Sequence, residues 1–288
     1  LLAVPVPLEY GFGKPNMNIG QVRNKGWELS LGWNDRINDF GYSVSANLSD
    51  NRNEVVDLGD TGPWKSSTTY TEVGLPFNSI YGYESMGLFQ SDEEVAEAPF
   101  QNSKTGAGDI RYKNQNGDDK IDANDRVVLG DPNPHFLYGL NLSFDYKNFD
   151  LGIFFQGIGQ QDRIVKDNFI RPLYDATFFE HQLDYWSPQN TNAKYPRILN
   201  KDDANHNYEN SDFWMINAGY LRMKNLTLGY TIPRNVLSST GFSRVRVYFT
   251  ANNLFTISDF VPGMDPEASS AWAYPFARTY SFGLNVQF

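Results

Sequence analysis

Apolar and polar side chains alternate along much of this chain. From Tyr138 to Tyr146 one parity carries Tyr138, Leu140, Leu142, Phe144 and Tyr146, and the other carries Gly139, Asn141, Ser143 and Asp145. A strand sends successive side chains to opposite faces, so this segment predicts a strand with one apolar and one polar face. After Lys147-Asn148 the pattern resumes, with Phe149, Leu151, Ile153 and Phe155 opposed to Asp150, Gly152 and Gln156. Trp27, Leu29, Leu31 and Trp33 oppose Glu28, Ser30 and Gly32, and after a polar turn over 34–39 Phe40, Tyr42, Val44, Ala46 and Leu48 oppose Gly41, Ser43, Ser45, Asn47 and Ser49. Leu226, Leu228 and Tyr230 follow, then Val245, Val247, Phe249 and Ala251, and last Tyr280, Phe282, Leu284, Val286 and Phe288. Each of these seven segments is read as a strand of on the order of 10 residues or more, the length that crosses a bilayer at a tilt.

A water-soluble β-sandwich alternates as well, so the composition of the two faces has to decide. The polar parity is mostly Gly, Ser, Asn and Thr rather than Lys and Glu, as suits a lumen better than a charged outer surface. The apolar parity begins and ends on aromatics (Trp27 and Trp33, Tyr138 and Tyr146, Tyr280 and Phe288), as interfacial girdles do. The connections point the same way. Those at 34–39 and 147–148 are short and 233–243 is moderate, whereas about 80 residues lie between Asn53 and Pro134, about 60 between Ile158 and Ala218, and about 20 after Ile257. Short turns at one end and long loops at the other are the habit of outer-membrane barrels, and this places Phe288 on the short-turn, periplasmic side. The expected fold class is therefore all-β, a transmembrane antiparallel β-barrel. If Lys147-Asn148 is a two-residue turn, Tyr146 pairs with Phe149, Phe144 with Leu151 and Leu142 with Ile153. Asp145 then faces Asp150, a like-charge pair in need of water or Lys147 nearby.

Composition narrows the function. The chain has 17 Tyr, 21 Phe and 6 Trp, a heavy aromatic load for an enzyme of 288 residues. No run approaches the roughly 18–20 apolar residues of a transmembrane helix, which leaves strands as the means of crossing. The formal charge of −10 argues against a nucleic-acid partner. Cysteine is absent, so there is neither a disulfide framework nor thiol chemistry. No leader is visible at the start, and the chain is read as beginning after a removed leader or inside something larger.

Several blocks resemble a known family. They are Gly108-Asp109-Ile110-Arg111-Tyr112-Lys113, Asn116-Gly117-Asp118, the stretch from Ile121 through Asp131-Pro132-Asn133-Pro134, Gly219 through Tyr230, Val247-Tyr248 through Asn252-Asn253-Leu254-Phe255, and Asn18-Ile19-Gly20 with Asn24-Lys25-Gly26 and Glu28. Together they resemble the SusC/RagA family of TonB-dependent outer-membrane transporters nearly end to end. The resemblance implies a 22-stranded barrel with a plugged lumen, importing an oligosaccharide or peptide with energy passed on by TonB. It also implies a SusD-like surface lipoprotein on the extracellular loops. Against that pattern, residues 1–288 correspond to the C-terminal segment of the barrel, with the N-terminal plug and earlier strands absent. An open wall leaves unpaired strand edges in lipid, so this segment is expected to require further chain.

The final stretch Ser281 to Phe288 looks like the C-terminal assembly signal of outer-membrane proteins, and also like a plain amphipathic strand. Asn114, Asn116, Asp118, Lys120, Asp122 and Asp125 occupy positions 1, 3, 5, 7, 9 and 12 of a calcium-loop pattern, position 7 offering its backbone carbonyl to Ca²⁺. Asp119 stands where glycine makes the sharp turn, and two asparagines lower the ligand charge; the same residues also read as a turn bonded to its own backbone. His135, His181 and His206 have no metal-ligand spacing, and no nucleophile elbow occurs, so no enzyme activity is expected. Trp64, Tyr70, Tyr81, Tyr83, Trp186, Trp214 and Trp272 lie in or near the long loops, where they either pack the loops or stack on a ligand. Import through a barrel in the bacterial outer membrane is the leading function. The alternative is a secreted or surface-exposed all-β glycan-binding protein, which would not leave aromatic-bounded apolar faces open to water.

Overall fold

The computed structural model describes residues 2–3, 16–17, 20–173, 178–199, 206–268 and 273–288. Asn18, Ile19 and Trp272, which entered the sequence reading, lie outside the described residues. No helix among them is long and apolar enough to cross a membrane.

The main sheet is an antiparallel meander of seven long strands: β1 (Gln21–Ile37), β2 (Phe40–Asp57), β3 (His135–Tyr146), β4 (Phe149–Gln160), β5 (Tyr220–Thr231), β6 (Arg244–Asn252) and β7 (Thr279–Gln287). Each pairs with the next in sequence, and a short strand, Thr256–Ser258, adds beside β5. Among the described residues the outer edges of β1 and β7 pair with no other strand, so the sheet is an open section of barrel wall. The β3–β4 hairpin has the expected register, Tyr146↔Phe149, Phe144↔Leu151 and Leu142↔Ile153, with Asp145 opposite Asp150. Lys147 opens its two-residue turn at φ 53°, the left-handed conformation that primed hairpin turns need. Asn38 at φ 54° does the same between β1 and β2. The first turn is accordingly shorter than expected, Asn38-Asp39 only, because β1 continues through Asp35 and Arg36 to Ile37.

Register across the wall lines up whole rows. Trp33, Val44, Leu142, Ile153, Leu226, Ala251 and Tyr280 are successive partners from β1 to β7. Four residues nearer the short turns, Ile37, Phe40, Tyr146, Phe149, Tyr230, Val247 and Leu284 form another row. Its rings lie close, Phe149 and Tyr230 with centroids 4.7 Å apart. This face is left uncovered: Leu31 is 63% exposed, Trp33 65% and Phe282 86%. A run of exposed apolar side chains across seven strands far exceeds what a water-facing surface carries.

All long connections leave from one end of the wall, those after β2, β4 and β6; the connections after β1, β3 and β5 are short and lie at the end where β7 finishes. The long connections are not structureless. Residues Trp64–Lys65, Thr69–Thr71, Ser79–Tyr83 and Arg126–Gly130 build a four-stranded sheet, and Asp162–Ile164 pairs with Met215–Asn217. Their shared core is Tyr83, Ile110, Tyr112 and Ile121 from the first long connection, packed with Val165, Phe169, Ile170 and Trp214 from the second. Burying each such side chain contributes about 1.5–3 kcal/mol, so the two connections fold as one cap. The wall exposes its apolar residues outward, whereas the cap buries its own.

Candidate functional site

The polar face of the wall is lined by small residues. Asn34, Ser43, Ser143, Gly152, Thr227, Thr250 and Ser281 form one row. The neighbouring row toward the cap contains a hydrogen-bonded ladder: Asn225 Nδ2 donates to Asn252 Oδ1 (2.8 Å), and Asn252 Nδ2 donates to Thr279 Oγ1 (3.0 Å). Such a face is wettable and carries little net charge.

Nearer the short turns, Asp145 and Asp150 face each other as expected, and two arginines rather than Lys147 pair with them. Arg36 of β1 reaches across β2 to Asp145, and Arg246 of β6 reaches across β5 to Asp150, with Nε–Oδ1 2.9 Å and a second bond of 2.5 Å. Each arginine crosses its intervening strand at a glycine, Gly41 and Gly229, where any Cβ would collide with the ion pair. Lys147 instead stands 5.2 Å over the Tyr146 ring on the outer face. Beside this row a polar cleft of about 570 Å³ is lined by Asp145, Asp150, Thr231, Arg234, Arg244 and Gln287.

At the cap end, the segment after Thr256–Ser258 folds against the polar face. Arg222 of β5, 1% exposed, donates to Thr256 Oγ1 (2.9 Å), Glu267 Oε2 (2.6 Å) and Asp265 Oδ1 (2.5 Å), and Lys224 also donates to Glu267 (2.8 Å). Arg163 donates to the carbonyls of Pro266 and Ala268, both at 2.8 Å. An arginine buried this deeply is tolerable only with both carboxylates in place. The sequence marked Arg222 solely as part of a family-like block; its role as an anchor was not legible.

Within the cap, Asp109 is the hub of the Gly108 to Lys113 block. Its carboxylate, 2% exposed, accepts Arg197 Nε (2.8 Å), Arg197 through a second nitrogen (2.8 Å), Asn207 Nδ2 (2.7 Å) and the Gly106 N–H (2.9 Å). Asn207 Oδ1 in turn accepts the Ile110 N–H (2.8 Å). Gly108 has φ 87° and lies so near the Trp186 ring that a side chain there would collide with it. One carboxylate thus ties the first long connection to the second.

Residues 114–125 form a turn bonded largely to itself. Asn114 Oδ1 accepts the Gly117 N–H, Asn116 Oδ1 the Asp118 N–H, and Asp118 Oδ1 the Lys120 N–H. Asp125, fully buried, accepts the N–H groups of Gln115 (2.9 Å) and Asp122 (2.7 Å), and Lys120 Nζ lies 2.6 Å from Asp122. Among the described residues no group of three or more His, Asp or Glu side chains gathers as a metal site. The loop aromatics pack rather than project: Tyr81, Tyr83, Trp186 and Trp214 are buried, and Tyr70 stacks on Tyr81 with centroids 5.2 Å apart. His181 and His206 stack on neighbouring rings, and His135 lies between two carboxylates.

No family model matches the chain. It is 30% identical over 310 residues to TonB-dependent receptor P3 of Formosa agariphila, covering 99% of this chain and 30% of that protein. It is 28% identical to TonB-dependent receptor SusC of Bacteroides thetaiotaomicron, covering all of this chain and 29% of SusC. Its fold matches part of the RagAB peptide importer in the 'open-open' state with a TM-score of 0.79 at 24% identity, covering all of this chain and 31% of that one. The chain thus spans about 30% of the length of the relatives it matches.

Proposed function

We propose that this chain, which belongs to the TonB-dependent receptors that include SusC, forms part of the wall and the outer mouth of an importer in the bacterial outer membrane. One observation carries the reading: a continuous apolar face, with an exposed large apolar side chain on every strand, crosses all seven strands and is bounded by aromatics, while the opposite face is a small-residue polar surface. Lipid satisfies the first face and a water-filled lumen the second. The folded cap at the long-connection end is then extracellular, and the short turns are periplasmic.

The two free edges of β1 and β7 support assigning the chain to the C-terminal segment of a larger closed barrel. Unpaired backbone groups cost several kcal/mol each in hydrocarbon, so the remaining strands have to come from the rest of the protein. The same remainder supplies the plug and the contact with TonB, and a SusD-like lipoprotein covers the cap. The cargo is a nutrient oligosaccharide or peptide. A secreted glycan-binding protein is the poorer fit, because it would leave the apolar rows in water.

The test is to express the full-length protein in its host, wash membranes with alkaline carbonate, and follow uptake of labelled oligosaccharide and peptide pools with and without TonB. Retention in the outer membrane and TonB-dependent uptake of one pool are expected. Release into the carbonate wash would overturn the reading.

A further inference from the structure

His135 is the first residue of β3, where the long connection from β2 re-enters the wall. Its Nδ1 lies 2.6 Å from Asp50 Oδ1 on β2, and its Nε2 lies 3.2 Å from Asp131 Oδ2 on the returning segment. Carboxylates only accept hydrogen bonds, so both ring nitrogens must donate. A neutral imidazole has one N–H and can serve one of them; the imidazolium serves both. The neighbouring groups are Arg52 Nε, 3.4 Å from Asp50, and Asp162, whose carboxylate accepts the Asp131 N–H at 3.0 Å. The ring and Asp50 are mostly shielded from water, and both lie on the cap side of Tyr138 and Leu48, beyond the outermost full apolar pairing.

We infer that His135 is a proton-operated clip that, while charged, ties the returning end of the first cap segment to the wall, and that frees Asp131 when it gives its proton to solvent. Asp50 keeps the remaining bond, so the wall stays intact and only the cap segment loosens. The inference concerns regulation of the mouth and rests on the import reading above.

The pH window follows from the two partners. Burial opposes the charge on His135, but its bonds to Asp50 and Asp131 outweigh this, and its pKa lies above the ordinary 6.5. The bond from His135 holds Asp50 below the ordinary 3.8, against its desolvation. A raised histidine contributes fully below its unfolded value and is lost as pH rises through its folded one. A depressed carboxylate contributes above its unfolded value and is lost as pH falls through its folded one. The clip therefore holds at mildly acidic pH and opens as the pH rises through a value above 6.5.

Amide hydrogen exchange of the full-length protein in lipid nanodiscs, measured across pH 5–9 with the intrinsic pH dependence divided out, tests this. Opening around Asp131 and Asp162 should rise on the order of tenfold as one charge-assisted bond is lost, with a midpoint above 6.5. Asp131→Asn should move the midpoint down by removing a charge while keeping an acceptor, and His135→Gln should erase the step. A flat profile in the unmodified protein, or a step unmoved by Asp131→Asn, overturns the clip. The measurement needs no transport, so its failure leaves the import reading standing, whereas failure of carbonate retention would remove the clip's role at an importer's mouth while the exchange step could still be read.

Discussion

Replacing Leu142 by arginine puts a guanidinium in the middle of the outward apolar face. Leu142 stands four residues from Tyr146 and four from Tyr138, in the row that runs from Trp33 to Tyr280. At ~3.4 Å per residue that is ~14 Å along the strand, or ~10 Å of depth at a tilt of ~45°. The position is thus near the midplane of an apolar band ~25 Å tall, where arginine costs roughly 2–4 kcal/mol. At about 1.4 kcal/mol per factor of ten, the folding equilibrium should fall roughly 30- to 700-fold. Ser143→Arg is the control one residue away: it points to the polar face, between Ser43 and Gly152, where a long side chain has room. Denaturant titration of the full-length protein refolded into lipid vesicles measures both. Equal losses, or a larger loss for Ser143→Arg, would refute the assignment of the two faces.

Arg246→Met should destabilise the wall more than Asp150→Asn in the same titration, because it leaves Asp150 charged opposite Asp145, and the double variant should recover most of the difference. Asp109→Ala removes the hub between the two long connections; the cap should lose about 2–3 kcal/mol and become protease-sensitive while the wall stays resistant. Calcium titrated calorimetrically should give no saturable heat while Asp125 and Asp122 keep their present partners; saturable heat abolished by Asp118→Asn and Asp125→Asn would instead establish a cation site at 114–125.

Parity along the chain made the wall legible because each strand presents one face to an apolar and one to a polar medium, so the code is local. The β3–β4 register followed from two turn residues for the same reason. The code failed where a strand departs from it. Asp35 occupies an outward position near the end of β1, hiding the strand's last turnward residues. Between Met223 and Asn225 the β4–β5 register shifts by a residue, so the alternation of Leu221 and Met223 with Arg222 and Lys224 runs out of phase with that of Leu226, Leu228 and Tyr230. The ion pairs over Gly41 and Gly229 each join strands two apart, which no single-strand pattern reveals. The cap core was equally hidden: Tyr112 and Trp214 share a core only through the packing of two separate connections, and no period marks either. Asp109 and Arg222 stood in blocks that resembled a family, yet their work as anchors became visible only with their partners in place.

On the import reading, one face of this wall meets lipid and the other meets water. The chain has no cysteine, so single cysteines can be read cleanly against a background free of others within it. Introducing Leu142→Cys, Ile153→Cys and Leu226→Cys in one set, and Ser143→Cys, Gly152→Cys and Thr227→Cys in another, in the full-length protein in intact outer membranes, tests both faces at one depth. Fluorophores on the first set should be quenched by a lipid-phase nitroxide and the sites spared by a water-soluble maleimide, with the second set showing the reverse. Maleimide labelling of both sets alike, without nitroxide quenching of either, would contradict the account.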